Sequence, residues 1–269
     1  MTQTITLVPF EARHIDQAVR LSRQAGWPHR AEDWAFTLQF STGVVALSGD
    51  TVVGTALCSA FGDQTRINMI IVEETARGQG LGRRLMDAVI ALAAGRCMAL
   101  VATADGLPLY RKLGFVPTGQ VLQHQGIVAN VVTPSAAVRR AGPDDLAALC
   151  AMDRVATGAD RSAMIAGLMR IGTIYRTDTG YAALRDFGRG QAIGPVVAAD
   201  RDTAQALIAA AATSAGFLRV DTTSDMGIAP FLHDLGLAHV GGGTLMVCGT
   251  PQPTGDDFKT YALTSQALG

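Results

Sequence analysis

Charge is scarce in this chain. Only 17% of its 269 residues are Asp, Glu, Lys or Arg, and the formal net charge is −1 with no basic stripe. A nucleic-acid surface needs clustered Lys and Arg, so no nucleic-acid partner is expected. With 48% hydrophobic residues the balance is also the opposite of a disordered chain, and a globular soluble protein is expected. Cysteine is sparse and scattered: Cys58, Cys97, Cys150 and Cys248 have no metal-ligand spacing, and the five histidines carry no metal signature. No metal is expected, and the cysteines read as reduced core or near-core residues of a cytoplasmic protein. Long hydrophobic runs are missing too. The alanine-rich stretches 85–94 and 203–215 are too short to span a bilayer and are flanked by charges. Residues 1–10 alternate like a strand, with no basic region before an apolar core, so neither a signal peptide nor a membrane partner is expected.

The length suits one large domain or two of ordinary size. The first half predicts strand, helix, helix, three strands, helix, strand, helix, strand. A strand over 4–8 precedes a helix carrying Ile15, Ala18, Val19 and Ser22, ended by Gly26. A second helix over 31–40 begins with Glu32 and Asp33, which suit the positive end of its dipole. Ser48-Gly49-Asp50 turns a hairpin between 44–47 and 51–58. The run 66–72 is nearly all apolar and reads as a strand buried on both faces. A helix from Leu81, a buried strand over 97–102, a short helix over 107–113 closed by Gly114, and a final strand region running with a turn to about Val132 complete it.

Thr133-Pro134-Ser135 marks the best boundary, and a weak second copy follows. Leu100-Val101-Ala102-Thr103-Ala104-Asp105 matches Val220-Asp221-Thr222-Thr223-Ser224-Asp225, and Leu113-Gly114-Phe115 matches Leu235-Gly236-Leu237. The predicted units are 1–132, 138–250 and a tail over 251–269, whose Phe258 and Tyr261 can pack back onto a domain.

The segment Arg77-Gly78-Gln79-Gly80-Leu81-Gly82-Arg83-Arg84 lies between the strand 67–72 and the next helix. A helix N-terminus has unsatisfied N–H groups and a positive dipole end, and glycine lets a phosphate approach the backbone. A P-loop would need Lys-Ser/Thr after Gly82, where Arg83 and Arg84 stand. The dinucleotide fingerprint would need glycine at position 83. Downstream by about 30 residues comes Leu109-Tyr110-Arg111-Lys112-Leu113-Gly114-Phe115, a distance that fits one helix, one strand and one turn.

Strand, loop and tyrosine element together resemble the GNAT acetyltransferase superfamily, over about residues 1–132. Arg77, Gly80 and Gly82 stand where that family has its coenzyme A pyrophosphate loop. The whole chain resembles a tandem GNAT protein with a degenerate second domain. The second copy lacks the glycine loop, having 194–203 there, and Leu232 replaces the tyrosine. The resemblance implies an α/β fold: two tandem GNAT-type domains, each a mixed, mostly antiparallel twisted sheet flanked by helices. It implies acetyl-CoA as cosubstrate, an amine acceptor, one cofactor site per chain, and a monomer or homodimer. It further implies cofactor contacts from Ile70, Ile71, Val72, Arg77, Gly78, Gln79, Gly80, Leu81, Gly82, Arg83, Thr103 and Tyr110, with the strand at 69–72 splayed from its neighbour.

In that family an amine attacks the acetyl thioester directly. An alkyl ammonium, with pKa ~10, must first lose a proton, and a thiolate, with pKa ~8.5, is helped by a proton donor. Tyr110 matches the family's acid, and one strand N–H can stabilise the oxyanion. Glu73, after the central strand, is the candidate base beside Glu74; Asn68 can orient and His124 can serve. Both tryptophans fall in the segment 26–34. Trp34 reads as half core, whereas Trp27 and His29 read as a substrate wall. Asp160 and Arg161, near Asp153, read either as a salt bridge at a helix start or as a pair facing the acceptor across the domain interface. The expected activity is an acetyl-CoA-dependent N-acetyltransferase (EC 2.3.1.-). A non-catalytic acyl-CoA-binding module and a longer acyl donor are the alternatives.

Overall fold

The computed structural model describes residues 4–130, 133–134, 137–213 and 216–269. The first half runs β1 (Ile5–Pro9), α1 (Ile15–Gln24), α2 (Ala31–Leu38), β2 (Ser41–Ser48), β3 (Thr51–Phe61), β4 (Gln64–Val72), α3 (Leu81–Leu92), β5 (Cys97–Ala102), α4 (Leu107–Lys112) and β6 (Val116–Ile127). The second half repeats that order: β7 (Arg139–Arg140), α5 (Leu146–Thr157), α6 (Ser162–Ile171), β8 (Gly172–Thr177), β9 (Gly180–Phe187), β10 (Gly190–Ala198), α7 (Arg201–Ala212), β11 (Phe217–Thr223), α8 (Ala229–Asp234) and β12 (Ala238–Cys248), followed by β13 (Lys259–Ala262). No turn interrupts the last strand of the first half among its described residues. β6 is one continuous strand to Ile127, and Val132 and Ser135 lie outside the described residues.

Among the described residues the strands form one mixed sheet in the order β1-β2-β3-β4-β5-β12-β6-β11-β10-β9-β8-β7, with β13 paired to β10. The order is palindromic about β12 and β6. Each half places its last strand in the other: β12 pairs with β5, and β6 with β11. The exchanged strands also pair with each other over Ala238–Val247 and Val116–Gln125, so the two halves share one backbone ladder. Helix α3 buries Leu81, Leu85, Met86 and Val89 on one face of the first half. On the other face, Ala18, Val19 and Leu21 of α1 and Trp34 of α2 pack against Val45, Leu57 and Ile71.

β4 is buried on both faces, as its apolar run implies, but it is not regular. Strict alternation would put Ile67, Met69 and Ile71 on one side. Instead Ile67 packs in the α3 core, while Met69 and Ile71 pack in the α1/α2 core. A bulge causes the switch. The pairing jumps from Leu57↔Asn68 to Thr55↔Ile71, and Met69 has φ +51°. A left-handed conformation costs a non-glycine residue about 1–2 kcal/mol. Here Thr55 Oγ1 donates a 2.7 Å bond to the displaced Met69 carbonyl.

Candidate active site

Parallel pairing between β4 and β5 stops early. Gln64, Thr65 and Arg66 pair with Cys97, Met98 and Ala99, but beyond them the strands diverge. The divergence follows from the bulge, which turns the β4 backbone out of the ladder, and from β12, which holds β5 from its other side. At the far end of the opening stands the N-terminus of α3. Gly78 and Gly80 have φ +76° and +75°, and a Cβ at either would meet nothing within 4 Å. No side chain caps this helix. Its first N–H groups are therefore left free beside an exposed glycine loop, an arrangement that suits an anion.

The corresponding place in the second half is closed twice. The Asp200 side chain accepts a 2.7 Å bond from the Thr203 N–H and caps α7. β10 and β11 also diverge, after Ile193 and Val220, but β13 fills the gap, pairing antiparallel with Val196–Ala198. The Leu263 N–H donates to the Asp221 carbonyl at 2.7 Å, and Thr222 Oγ1 donates to the Tyr261 carbonyl at 2.6 Å. A Cβ at Gly194 would collide with the Leu263 carbonyl, so the tail lies against bare backbone where the first half has an opening.

A cavity of about 220 Å³ sits where β4 leaves β5. The first half lines it with Trp27, His29, Asn68, Met69, Ile70, Thr103 and Tyr110, among others; the second half adds Phe187, Arg219 and the tail residues Ser265, Gln266 and Ala267. Tyr110 is buried, packed edge-on against Phe115. Burial pushes its phenol up to about 12, so it stays protonated at neutral pH. Asn68 Nδ2 donates to Ser59 Oγ at 2.9 Å and to the Arg66 carbonyl at 3.1 Å, which fixes the amide orientation. Its buried Oδ1 has no partner among the described residues. His29 lies edge-on to Trp27 and Phe187, with Nδ1 buried and unpartnered among the described residues. Burial, then the nearby Arg219 charge, lowers its ring to about 4, leaving it neutral.

Several expected site residues lie elsewhere. Glu73 does not line the cavity. Its N–H bonds the Val53 carbonyl, and its carboxylate is paired with Arg20 of α1, which also bonds the Val52 carbonyl. That ion pair ties the carboxylate to α1. Ile71 and Val72 lie beyond the cavity wall, Ile71 in the α1/α2 core and Val72 against the α3 core. Leu81 is buried in the α3 core, so only its backbone faces the loop. Arg83 Nε donates to both carboxylate oxygens of Asp87 on the exposed face of α3. Gln79 Nε2 bonds the Thr75 carbonyl, and Arg77 Nε bonds the Val72 carbonyl at 3.3 Å.

The interface reading of Asp160 and Arg161 gives way to the salt-bridge one. Arg161 is buried against Asp153, Nε to carboxylate 2.9 Å, with the Tyr181 hydroxyl donating to the same carboxylate. Asp160 is exposed and paired with Arg154. Trp34 is fully buried rather than half buried, stacked 5.5 Å from Phe10 with Nε1 donating to Ser22 Oγ. His124 is buried beside His239 and does not line the cavity. Sequence reasoning missed Phe187, Arg219 and Gln266. Arg219 directly precedes the repeat segment 220–225, a place where attention to the second copy's strand ends could have found it.

Two family models, both described as acetyltransferase (GNAT) domains, match residues 39–117 and 149–262 and between them span well over half of the chain. The chain belongs to the GNAT acetyltransferases, as a tandem member with one such domain in each half. It is 29% identical to the uncharacterized N-acetyltransferase YitH of Bacillus subtilis, over 98% of both chains. Its fold resembles a putative acetyltransferase of Pyrococcus horikoshii at TM-score 0.86 and 18% identity, covering 100% of this chain and 97% of that one. It also resembles a tandem GNAT protein from the clavulanic acid biosynthesis pathway at TM-score 0.64 and 15% identity, over 91% and 98% of the two chains. Among the described residues no helix is long and apolar enough to cross a membrane.

Proposed function

We propose that this protein transfers an acetyl group from acetyl-CoA to a primary amine of a small acceptor. In this reading residues 1–132 hold the cosubstrate, 138–250 form a degenerate domain that shapes the acceptor end, and the tail 251–269 completes it. The observation that carries the reading is the opening between β4 and β5, which runs from the uncapped N-terminus of α3 to a cavity containing Tyr110. The loop N–H groups of residues 78–82 suit the pyrophosphate, with Arg77 beside it. The free backbone edge of β4 at Met69 and Ile70 suits the pantetheine amides. Acetyl-CoA supplies the electrophilic acetyl carbon: the amine nitrogen bonds to it, the carbon–sulfur bond breaks, and the proton lost from nitrogen ends on sulfur.

In this reading Tyr110 gives its phenolic proton to sulfur and is restored by the proton lost from nitrogen, a role supported by a phenol that stays protonated and a ring that lines the cavity. No carboxylate lines the cavity among the described residues. The amine therefore enters as the free base, having lost its ammonium proton to water. The presence of Tyr110 in the cavity counts against a non-catalytic acyl-CoA-binding module.

Gly80→Ala tests the cofactor half. The left-handed backbone at φ +75° strains alanine by about 1 kcal/mol with no clash, so folding survives while the loop N–H groups are displaced. Acetyl-CoA at millimolar concentration is expected to raise the melting temperature of the wild type, with half-saturation shifted about tenfold upward in the variant. No shift in the wild type, or equal affinity in both, contradicts the reading.

A further inference from the structure

The cavity contains one side chain that the transfer chemistry does not use and whose position is unusually determined. Arg219 lies on β11 in the second half and reaches the first half's site. Asp221, two residues along the same strand and hence on the same face, holds its guanidinium by two bonds, Nε to Oδ2 at 2.9 Å and Nη2 to Oδ1 at 3.1 Å. Gln266 Nε2 donates to the same Asp221 carboxylate at 3.0 Å. The guanidinium carbon stands 5.2 Å from the Phe187 ring centroid, and Arg185 lies 4.6 Å from that ring. Nη1 of Arg219 makes no hydrogen bond among the described residues.

This is an arginine fixed in advance. Its side-chain entropy is already lost, one fork is used for positioning, and the other edge is left for an anion. A neutral amine acceptor gives such a group nothing to bind. A polycationic acceptor would find no acidic side chain on the wall to pair with. The complementary polar atom is Asn68 Oδ1, a buried acceptor without a donor among the described residues. It is suited to an amine N–H. The volume of about 220 Å³ fits a molecule of amino-acid size, and the segment Gly26–His29 also lines a wider cavity of about 700 Å³.

We propose that the acceptor is a small amine bearing a carboxylate, and that Arg219 binds the carboxylate while Asn68 Oδ1 receives an N–H of the amine. The proposal rests on the acetyltransferase reading of the same cavity. It gives the second half a defined role, in which the half that does not hold the cosubstrate supplies the specificity determinant.

The test uses the full chain with saturating acetyl-CoA and matched acceptor pairs: glycine against glycinamide, β-alanine against β-alaninamide, and glycylglycine against its amide. Turnover is read by CoA release. Binding is read by calorimetry with the N-acetylated acids and amides in the presence of CoA. Amidation lowers the amine pKa, so intrinsic reactivity favours the amides, and a preference for the acids must come from the protein. Arg219→Gln is expected to raise KM for the acids roughly 10- to 100-fold, with kcat changed less than about threefold and KM for the amides unmoved.

Arg219→Gln leaves buried Asp221 short of a partner, so the double variant Arg219→Gln/Asp221→Asn removes both charges and is expected to show the same loss. Amides used or bound as well as the acids by the wild type, or an equal KM rise for both sets, overturn the proposal. Acetyl-CoA-dependent melting shifts in the same samples separate the two readings. If they persist while no acid is preferred, only the carboxylate proposal fails; if the wild type lacks them, the acetyltransferase reading fails with it.

Discussion

Replacing Tyr110 with Phe isolates one oxygen atom. The Tyr110 hydroxyl makes no hydrogen bond among the described residues, and the ring is held by apolar contacts in the α3 core. Its loss therefore leaves no buried group stranded, and the stability change is expected within about 1 kcal/mol. Catalysis is different. A positioned proton donor contributes about 10²- to 10⁴-fold, so kcat should fall by about 10²-fold or more, with acetyl-CoA affinity unchanged. Gly106 provides a positional control. A Cβ there would lie 2.6 Å from Tyr110 Cε2 and 3.1 Å from its oxygen, so Gly106→Ala must push the ring while keeping the hydroxyl. With φ −80° the backbone itself tolerates alanine. The two variants should lose turnover together if the oxygen must sit where it does. The pH profile adds an independent check: a phenol raised to about 12 stays protonated throughout an assay from pH 6 to 10. Tyr110→Phe with kcat within threefold of wild type refutes the assignment, whereas a descending limb near pH 9 that vanishes in the variant keeps Tyr110 as the acid and overturns only its raised pKa.

Asp153→Asn should be among the more destabilising polar substitutions. Arg161 is only 4% exposed and would lose its counter-charge, a cost of about 3–5 kcal/mol. Urea unfolding checks it, acceptor KM should not move, and a loss below about 1 kcal/mol contradicts the ion-pair reading. His29 should make the fold acid-sensitive. Its folded pKa, about 4, lies below the unfolded value of 6.5, so its stabilising contribution is complete above pH 6.5 and is lost as pH falls toward 4. His29→Gln should flatten stability between pH 6.5 and 4, and an unchanged pH dependence argues against a neutral buried ring.

Much of the element order was legible because each signal was local. The Ser48-Gly49-Asp50 turn, the apolar stripe Leu81-Leu85-Met86-Val89 and the apolar strand 97–102 need no knowledge of distant chain. The glycine loop and Tyr110 were legible for the same reason, since backbone conformation at Gly78 and Gly80 restricts residue choice there. What failed was non-local. Glu73 looked free because its partner Arg20 is 53 residues away. Nothing around 116–127 says that β6 will pair with β11, because register across halves depends on both strands at once. Arg219 and Phe187 carry no motif, and their closeness to Tyr110 exists only once the last strands are exchanged. Sequence left Asp160 and Arg161 open between a salt bridge and a pair facing the acceptor, because burial, which separates the two, is set by distant chain.

The sheet's near-symmetry makes the two halves comparable, and one large difference between them underlies the proposed division of labour. Both halves diverge between their fourth and fifth strands, at β4/β5 and β10/β11. Such a divergence leaves strand-edge N–H and C=O groups without a ladder partner, and buried backbone groups require one. In the second half the chain supplies it: β13 enters the gap, and Asp200 closes the helix end that would otherwise attract an anion. In the first half no segment of the described chain enters, and the helix end is uncapped. The first half thus keeps an edge that a pantetheine chain can satisfy, whereas the second has made its version of that bond permanent with the chain's own residues. The plug also serves the open side. Beyond β13 the tail continues through Ser265, Gln266 and Ala267 into the first half's cavity, where Gln266 braces Asp221 and, through it, Arg219. Closing one slot is therefore what orders the wall of the other, the proposed acceptor end.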